Sequence, residues 1–297
     1  MTEPTRTPRL LAITPARNEA ILLPGLIESM TTQSARPAAW VLVDDGSSDG
    51  TVELMQAAAA AHEWIHVVQR ADRGSRRLGG GVVEAFREGL AAADGEFDFY
   101  AKVDADLTFG PRYLERLFEH FAEDETLGSA SGKVYRPEEG SLVEEFMIDD
   151  MVAGQFKVWR RSCYEAIGGL VDRVMWDGID FHRARMEGWR TQSIDEAELV
   201  LVHHRLMGSS DRSVFRGRLR WGRGQWFMGS HPLYVLASAA WRSLEQPRIV
   251  GGALIAAGYA QAALSREPRY EDSGFRRSLR SWQMGRLGRL LTRGEVR

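Results

Sequence analysis

The sequence contains a single cysteine, Cys163, among 297 residues. One cysteine cannot form a disulfide within the chain, and it cannot supply the thiolates of a cysteine-based zinc site or an iron–sulfur cluster. Sequences so poor in cysteine are more typical of a reducing compartment than of secreted domains. The sequence therefore predicts a fold stabilised by a hydrophobic core, without covalent cross-links.

Long apolar runs are also missing. The longest, Ile249–Leu264, has 16 residues and is interrupted by glycine, whereas a membrane-spanning helix needs about 20 apolar residues. The first twenty residues lack a basic segment followed by an apolar run, so we expect no secretory signal.

Hydrophobic residues make up 44% and charged residues 27% of the chain, which is typical of one large globular domain or of a domain with an extension.

Lysine is absent from the last third of the chain. From Arg205 onward there are 17 arginines against 6 acidic residues, a formal charge of +11, while the preceding residues carry −14. Within this basic region, Arg212–Trp226 alternates arginine with phenylalanine and tryptophan. Such a segment is compatible with nucleic acid or with a membrane surface. We favour the membrane surface and expect no nucleic-acid partner, while a homo-oligomer contact or a covering of the sheet stays open.

The first 125 residues alternate strand and helix signals, which predicts an α/β fold with a mainly parallel sheet. We predict strands at 9–14, 40–43, 65–69 and 97–103, and helices at 19–32, 51–61, 81–93 and 111–121. Further on, we predict strands at 127–135, 155–159 and 198–203, short helices at 162–167 and 180–188, and mainly helix from residue 213. Ligands of parallel sheets bind beyond the carboxyl ends of the strands, and there the sequence places its carboxylates.

Two aspartates, Asp104 and Asp106, follow the fourth predicted strand. Carboxylates this close repel each other unless a cation lies between them, and oxygen ligands suit Mg²⁺ or Mn²⁺. The alternative is a solvated loop that caps the next helix. His203, at the end of a later strand, is a further candidate ligand, although a histidine there is more often structural.

An acidic pair and a tight polar loop, Val43–Thr51, lie between a strand and a helix. This arrangement offers acceptors for a nucleobase or ribose and backbone N–H groups at a helix start. The loop also matches the G-x-S-x-G pattern of serine hydrolases, but no oxyanion segment precedes it. Its likeness to a calcium loop fails because Gln56 stands at the twelfth position.

Two further segments have both a chemical and a structural interpretation. Arg73–Gly81 combines arginines with glycines, which suits a diphosphate, or it is a solvated loop. Asp177 and Asp180 lie beside Trp176. A carboxylate beside an aromatic ring can act as a base, but either aspartate could equally cap a short helix.

Taken in order, five segments resemble the family 2 glycosyltransferases of the GT-A fold. Thr14–Ala20 resembles the family's opening P-x-Y-N-E, and Val43–Thr51 resembles V-D-D-G-S-x-D-G-T. Arg77–Gly81 and the later Lys102–Leu107 are similar to its basic loop and its D-x-D motif, and Asp177–Gly188 to E-D-x(10)-G. The resemblance extends from about residue 10 to residue 205.

The resemblance implies an inverting transfer of a sugar from a nucleotide diphosphate sugar, with a Rossmann-like, mixed but mainly parallel sheet flanked by helices. It implies the following roles. Pro15, Arg17, Glu19 and Asp45 line the nucleoside, Arg77 lies near the diphosphate, Asp106 with Asp104 holds Mg²⁺ or Mn²⁺, and Asp177 is the base. Trp176 and Asp180 would then lie on the acceptor side. Arg17 and Trp176 depart from the family pattern, which has Tyr and Glu there.

The acceptor remains open between two chemistries. A base at Asp177 favours a hydroxyl acceptor, typically a lipid-linked sugar, as in bacterial enzymes of exopolysaccharide, capsule or lipopolysaccharide assembly that the chain also resembles. The first half resembles polyprenyl-phosphate glycosyltransferases as well, whose phosphate acceptor needs no base. A third hypothesis is a catalytically inactive subunit that binds a sugar nucleotide.

The sequence also predicts how the chain is organised. We expect a catalytic domain at 1–205, with a nucleotide-sugar half at 1–125 and an acceptor half at 126–205. The basic helical region at 206–297 would contact a membrane surface or another subunit. This organisation predicts a cytoplasmic enzyme attached peripherally to the inner face of the cell membrane.

Overall fold

The predicted alternation of strands and helices is present in the computed structural model, which describes residues 8–72, 74, 79–205, 214–244 and 247–293. The strands are β1 (Leu10–Ala16), β2 (Ala39–Asp44), β3 (Ile65–Gln69), β4 (Phe99–Val103), β5 (Leu107–Phe109), β6 (Leu127–Gly132), β7 (Val134–Glu138), β8 (Ser141–Glu144), β9 (Phe156–Arg160), β10 (Arg190–Ile194) and β11 (Leu201–His203). The helices are α1 (Leu23–Thr31), α2 (Thr51–Ala61), α3 (Gly80–Ala92), α4 (Tyr113–Glu123), α5 (Arg161–Ala166), α6 (Trp176–Met186), α7 (Val214–Met228), α8 (Pro232–Arg242), α9 (Val250–Leu264) and α10 (Ser273–Arg293).

The main sheet is mixed and mainly parallel, as predicted. Within the described residues its strand order is β10-β6-β9-β4-β1-β2-β3. Strands β1 to β4 pair in parallel where they are neighbours, and β9 is antiparallel to both β4 and β6. A smaller sheet has the order β5-β11-β7-β8 and lies beside the carboxyl end of β4, because β5 follows β4 in the chain.

Both faces of the main sheet are buried. Alternate residues of β1 enter different clusters, with Leu10 and Ala12 on one face and Leu11 and Ile13 on the other. Strands buried on both faces read as continuous apolar runs, which explains why the sequence around these positions is almost entirely apolar. The functional residues are consequently confined to the strand ends.

Several predicted boundaries are wrong for identifiable reasons. The single strand expected at 127–135 is two strands, because the chain leaves the main sheet at Lys133 and β7 joins the smaller sheet. The first helix begins at Leu23, not at Glu19, because Asn18 adopts a left-handed φ of 56° and Pro24 lies in the first turn. Glu19 therefore lies in a loop.

The C-terminal helices pack against the part of the chain that carries the catalytic candidates. Gly224 of α7 lies against Met175, and Met228 lies against Gly178 at the start of α6. A side chain at Gly224 would come within 2.5 Å of Met175. Among the helices that the structure describes, none is long and apolar enough to cross a membrane.

Helix α10 covers a buried histidine on α6. His182 is 4% exposed, and the rings of Trp282 and Phe275 lie 4.9 Å and 6.1 Å from its ring centroid. Its Nδ1 has no hydrogen-bond partner among the described residues. Burial, with a smaller contribution from Arg185, lowers the pKa of His182 to about 3. The imidazole is therefore neutral in the folded protein at neutral pH.

We expect acid to destabilise the protein through His182. The unfolded imidazole titrates near its ordinary pKa of about 6.5. Between this pKa and the folded pKa of about 3, the unfolded state binds more protons than the folded state, so the free energy of unfolding decreases as the pH is lowered. Lowering the pH to about 5 should cost about 2 kcal/mol through this residue. Urea unfolding at neutral pH and at the lower pH should show that the free energy of unfolding decreases less in His182→Phe than in the wild type. His66→Gln, at an exposed position, should keep the wild-type loss. An unchanged loss in His182→Phe would contradict the assignment.

Candidate active site

The ends of three neighbouring parallel strands bring the predicted carboxylates to one edge of the sheet. Strand β1 leads to Arg17 and Glu19, β2 to Asp45, and β4 to Asp104 and Asp106. The backbone N–H of Asp45 donates to the carbonyl of Ala16 at 2.9 Å, which fixes the first two ends together. The topology therefore assembles residues that lie far apart in the sequence.

The loop after β2 is shaped by the first aspartate of the acidic pair. The buried carboxylate of Asp44 accepts hydrogen bonds from the backbone N–H groups of Gly46 and Ser47, at 3.2 Å and 3.1 Å. Gly46 has a φ of +79°, and a Cβ there would lie 2.6 Å from the Cα of Asp72. Asp44 thus has a structural role, and Asp45 is left at the edge as predicted.

Asp45 is held by arginines. Its Oδ1 lies 2.5 Å from Nη1 of Arg70, a residue that the sequence analysis missed. Arg17 donates to the carbonyl oxygen of Asp45 at 2.7 Å and to the carboxylate of Asp72 at 2.8 Å. Arg17 therefore supports the loops beside the predicted nucleoside site, and half-buried Pro15 precedes it in β1. Arg77 lies outside the described residues.

Glu19 connects the first strand with the last strand of the smaller sheet. Its two carboxylate oxygens accept hydrogen bonds from Nη1 and Nη2 of Arg205 at 2.9 Å and 2.5 Å. Nε of the same guanidinium lies 3.7 Å from Oδ2 of Asp106. Planar, two-point pairing of this kind fixes both partners. Arg205 is a second residue that the sequence analysis did not select.

Asp106 lies between cations. Nε2 of His203 is 3.5 Å from its Oδ2, and Nδ1 of His203 is 3.2 Å from Glu145. Burial alone would lower the pKa of His203, but the hydrogen bonds and charges of Asp106 and Glu145 outweigh burial and raise it to about 9. Burial pushes the pKa of Asp106 upward, and the hydrogen bond from His203 with the nearby positive charges outweighs it, so the pKa is lowered.

Asp104 is paired with a buried lysine. Nζ of Lys102 lies 2.5 Å from Oδ1 of Asp104 and donates to the carbonyl of Gly154 at 2.7 Å. Within the described residues, no three His, Cys, Asp or Glu side chains are arranged to hold a metal ion. Both nitrogens of His203 face carboxylates, those of Asp106 and Glu145, so metal binding through this histidine would require one of these contacts to be given up. Asp104 and Asp106 remain the candidate ligands.

Asp177 lies at the start of α6 and close to Gly154, whose carbonyl accepts a hydrogen bond from Lys102. Its Oδ1 accepts the backbone N–H of Gly178 at 3.0 Å. A Cβ on Gly154 would be 3.0 Å from Oδ2 of Asp177. The carboxylate is half-buried. Contacts therefore link the predicted base to the Asp104 pair through Lys102 and Gly154.

Asp180, which is expected on the acceptor side, has a buried and paired side chain. Its side chain is 2% exposed and pairs with Nζ of Lys157 at 2.8 Å, and it also accepts a hydrogen bond from Nε1 of Trp159 at 2.8 Å. Trp176, also expected on the acceptor side, is 7% exposed. The Nζ atoms of Lys102 and Lys157 lie 5.5 Å and 5.8 Å from its ring centroid. Both residues support the site from inside.

Comparison with protein families finds the model of glycosyl transferase family 2 matching residues 11–178. Several curated proteins are similar in sequence, and two of them are as follows. Undecaprenyl-phosphate mannosyltransferase of Micrococcus luteus is 36% identical over 112 residues, which cover 37% of this chain and 43% of that protein. Polyprenol monophosphomannose synthase of Mycolicibacterium smegmatis is 33% identical over 199 residues, covering 66% of this chain and 67% of that protein. The chain thus spans less than half of the first relative.

Solved structures share the fold over nearly the whole chain. The mannosyltransferase PcManGT from Pyrobaculum calidifontis, in complex with GDP-Man and Mn²⁺, superposes with a TM-score of 0.57 at 19% identity. The superposition covers 98% of this chain and 89% of that one. A structure of S. aureus TarS gives a TM-score of 0.54 at 13% identity, covering 97% and 76%. At these identities the likeness establishes the GT-A fold.

We expect Lys157→Met to be strongly destabilising because it leaves Asp180 buried without its cation. Removing one partner of a buried ion pair costs about 3–5 kcal/mol. Arg161→Met is the matched control, since the Arg161–Glu165 pair is 43% and 55% exposed and exposed pairs contribute less than about 1 kcal/mol. Chemical denaturation of both variants measures the difference, and equal losses would show that Asp180 has no such structural role.

Proposed function

The chain belongs to glycosyl transferase family 2 and is a glycosyltransferase, and we propose that it transfers mannose from a nucleotide diphosphate sugar to a polyprenyl phosphate. The observation that carries this proposal is the 33% identity to polyprenol monophosphomannose synthase, which extends over two thirds of both chains. The second relative is named for mannosyl transfer to undecaprenyl phosphate. The site geometry is compatible with this reaction in the following way.

The nucleoside would bind beside Asp45 and Arg17. Both side chains lie at the carboxyl edge of β1 and β2, where open α/β sheets bind nucleotides. Arg17 is fixed by Asp72 and by the Asp45 carbonyl, so it presents a guanidinium plane in a defined position. A guanidinium can stack on a base, as the Tyr of the family pattern would.

Asp104 and Asp106 would hold a divalent metal. The donor set fits, because carboxylate oxygens at an accessible strand end suit Mg²⁺ or Mn²⁺. One oxygen of Asp106, Oδ1, is buried and has no hydrogen-bond partner among the described residues. When bound, the metal offsets the negative charge of the diphosphate leaving group. The side chain of Asp104 is 30% exposed, so it is accessible from the cleft.

The transfer itself is a single displacement. A phosphate oxygen of the acceptor attacks C1 of the sugar, and the bond from C1 to the diphosphate oxygen breaks on the opposite face, which inverts the configuration. The acceptor phosphate is already ionised, so no proton has to be removed. Lys102, His203 and Arg205 place positive charge around the aspartates, which would attract both the diphosphate and the acceptor phosphate.

A hydroxyl acceptor is the second candidate, and the position of Asp177 favours it. The half-buried carboxylate lies close to Gly154, whose carbonyl binds the Lys102 of the Asp104 pair, and there it could take the proton of a sugar hydroxyl. Its product would belong to a lipid-linked glycan of a cell-surface polysaccharide. The two candidates therefore differ in whether Asp177 takes part in the chemistry.

We expect Asp106→Asn to abolish metal-dependent transfer. The neutral amide binds divalent ions poorly, so calorimetric titration with Mn²⁺ and nucleotide diphosphate should show binding weakened by about tenfold or more. Transfer to polyprenyl phosphate, assayed with a panel of nucleotide sugars, should fall by about a hundredfold or more.

The matched control for that variant is Asp94→Asn, an exposed position outside this cleft, which should behave like the wild type. Transfer of another sugar in preference to mannose would contradict the mannose assignment. Unaltered Mn²⁺ binding by Asp106→Asn would contradict the metal assignment.

Asp177→Asn distinguishes the two acceptors. The amide oxygen can still accept the Gly178 N–H, so the helix start is preserved. Transfer to polyprenyl phosphate should remain within about threefold of the wild type, because an ionised phosphate needs no base. A loss of about a hundredfold or more, with unchanged donor binding, would instead support the hydroxyl acceptor.

A further inference from the structure

Helix α8 exposes its apolar side and buries its other side. Val235 and Ala239 are buried against Ile255 of α9. The exposed positions of α8 are all apolar: Pro232, Leu233, Leu236, Ala237, Ala240 and Trp241. Their spacing of three and four residues places them on one side of the helix. A surface helix of a globular protein ordinarily has the reverse pattern, with polar residues outward.

The exposed apolar surface continues beyond α8. Leu244 is 71% exposed, and Ile249 and Val250, at the start of α9, are 75% and 47% exposed; Ile249 directly precedes the helix. In α8 and α9, all of whose residues the structure describes, no exposed side chain is charged. We call Leu233, Leu236, Trp241, Leu244 and Ile249 the apolar face. Several large apolar side chains exposed together mark an interaction surface more often than chance exposure does.

The region around the apolar face is strongly basic. The chain from Arg205 onward has a formal charge of +11. Arg248, next to Ile249, is exposed, as are Arg216 and Arg223 on α7 and Arg277 and Arg289 on α10. This charge is complementary to anionic lipid headgroups. It also opposes the approach of a second copy of the same region, because like charges would be brought together.

We propose that the apolar face inserts into the headgroup region of an anionic bilayer, with α8 lying along the surface. The helix has 11 residues, too short to cross a bilayer, and a Trp beside leucines is suited to the interface. Because α7 packs against Met175 and Gly178, on either side of Asp177, such docking would hold the candidate base side of the site near the bilayer. The proposal does not depend on which acceptor is used.

The test compares vesicle binding of the full chain with that of the variant Leu233→Ser/Leu236→Ser/Trp241→Ser. In a flotation assay, the wild type should float with phosphatidylcholine vesicles that contain about one third phosphatidylglycerol. The fraction of protein that floats should decrease as the salt concentration is raised. Binding of the triple variant to these vesicles should be weaker by about tenfold or more. Since all three side chains are about half exposed, circular dichroism and melting temperature should stay as in the wild type. Leu142→Ser, on exposed β8, is the matched control and should bind as the wild type does.

A second measurement reports on Trp241 itself. Brominated lipids should quench part of the tryptophan fluorescence of the wild type. Trp241→Phe should still bind the vesicles, but the quenched part of the fluorescence should be missing from its spectrum. Equal vesicle binding by the wild type and the triple variant would overturn the proposal, as would no binding by the wild type. A dimer found by light scattering that the triple variant abolishes would assign the apolar face to a second copy instead.

Discussion

Carboxylates gathered at one edge of a sheet repel each other, and here those closest to the proposed chemistry lie against cations. Arg70 faces Asp45, Arg205 faces Glu19, and Lys102 faces Asp104. Buried charges are tolerated only when they are paired and hydrogen-bonded, so this pairing is what allows the acidic edge to fold. The same cations leave the site with mixed charge, which suits a diphosphate better than a purely acidic edge would.

The helical region adds a different kind of surface to this edge. The catalytic part is acidic and the last third is basic, and the two are joined where α7 packs against the start of α6. In the proposed reaction, a soluble sugar nucleotide and a lipid-borne acceptor meet in one cleft. The separation of polar chemistry at the strand ends from apolar surface on α8 would provide one face for each.

The sequence was sufficient for the fold class and for the aspartates at the strand ends. Alternation of apolar strands with helices predicts a parallel sheet, and carboxylates after β2 and β4 must then meet at one edge. The division of one predicted strand into β6 and β7 was not predictable in this way. It depends on Gly132, where a Cβ would lie 1.6 Å from the carbonyl oxygen of Leu199, a contact between residues distant in the chain.

The cations that pair with the site carboxylates were the main feature that the sequence did not predict. Arg70 and Arg205 were not selected from the sequence, and Lys102 was noted only as the first residue of the Lys102–Leu107 motif; their roles are recognised from the carboxylates they face in the folded protein. The burial of Asp180 was not predicted for the same reason, because nothing in its local sequence reveals that Lys157, on β9, pairs with it in the interior. Periodicity reports which residues are buried, but it does not report which buried charges are paired.

The pairing of Glu19 with Arg205 joins positions 186 residues apart. Contacts this distant raise the contact order and form late in folding, after the loop between them has been closed. During synthesis, an emerging chain would already hold β1, β2 and β4 with their aspartates while Arg205 was still in the ribosome. Glu19 would then be exposed without the guanidinium of Arg205, so this counter-charge joins the acidic edge only after the aspartates of the edge have been synthesised.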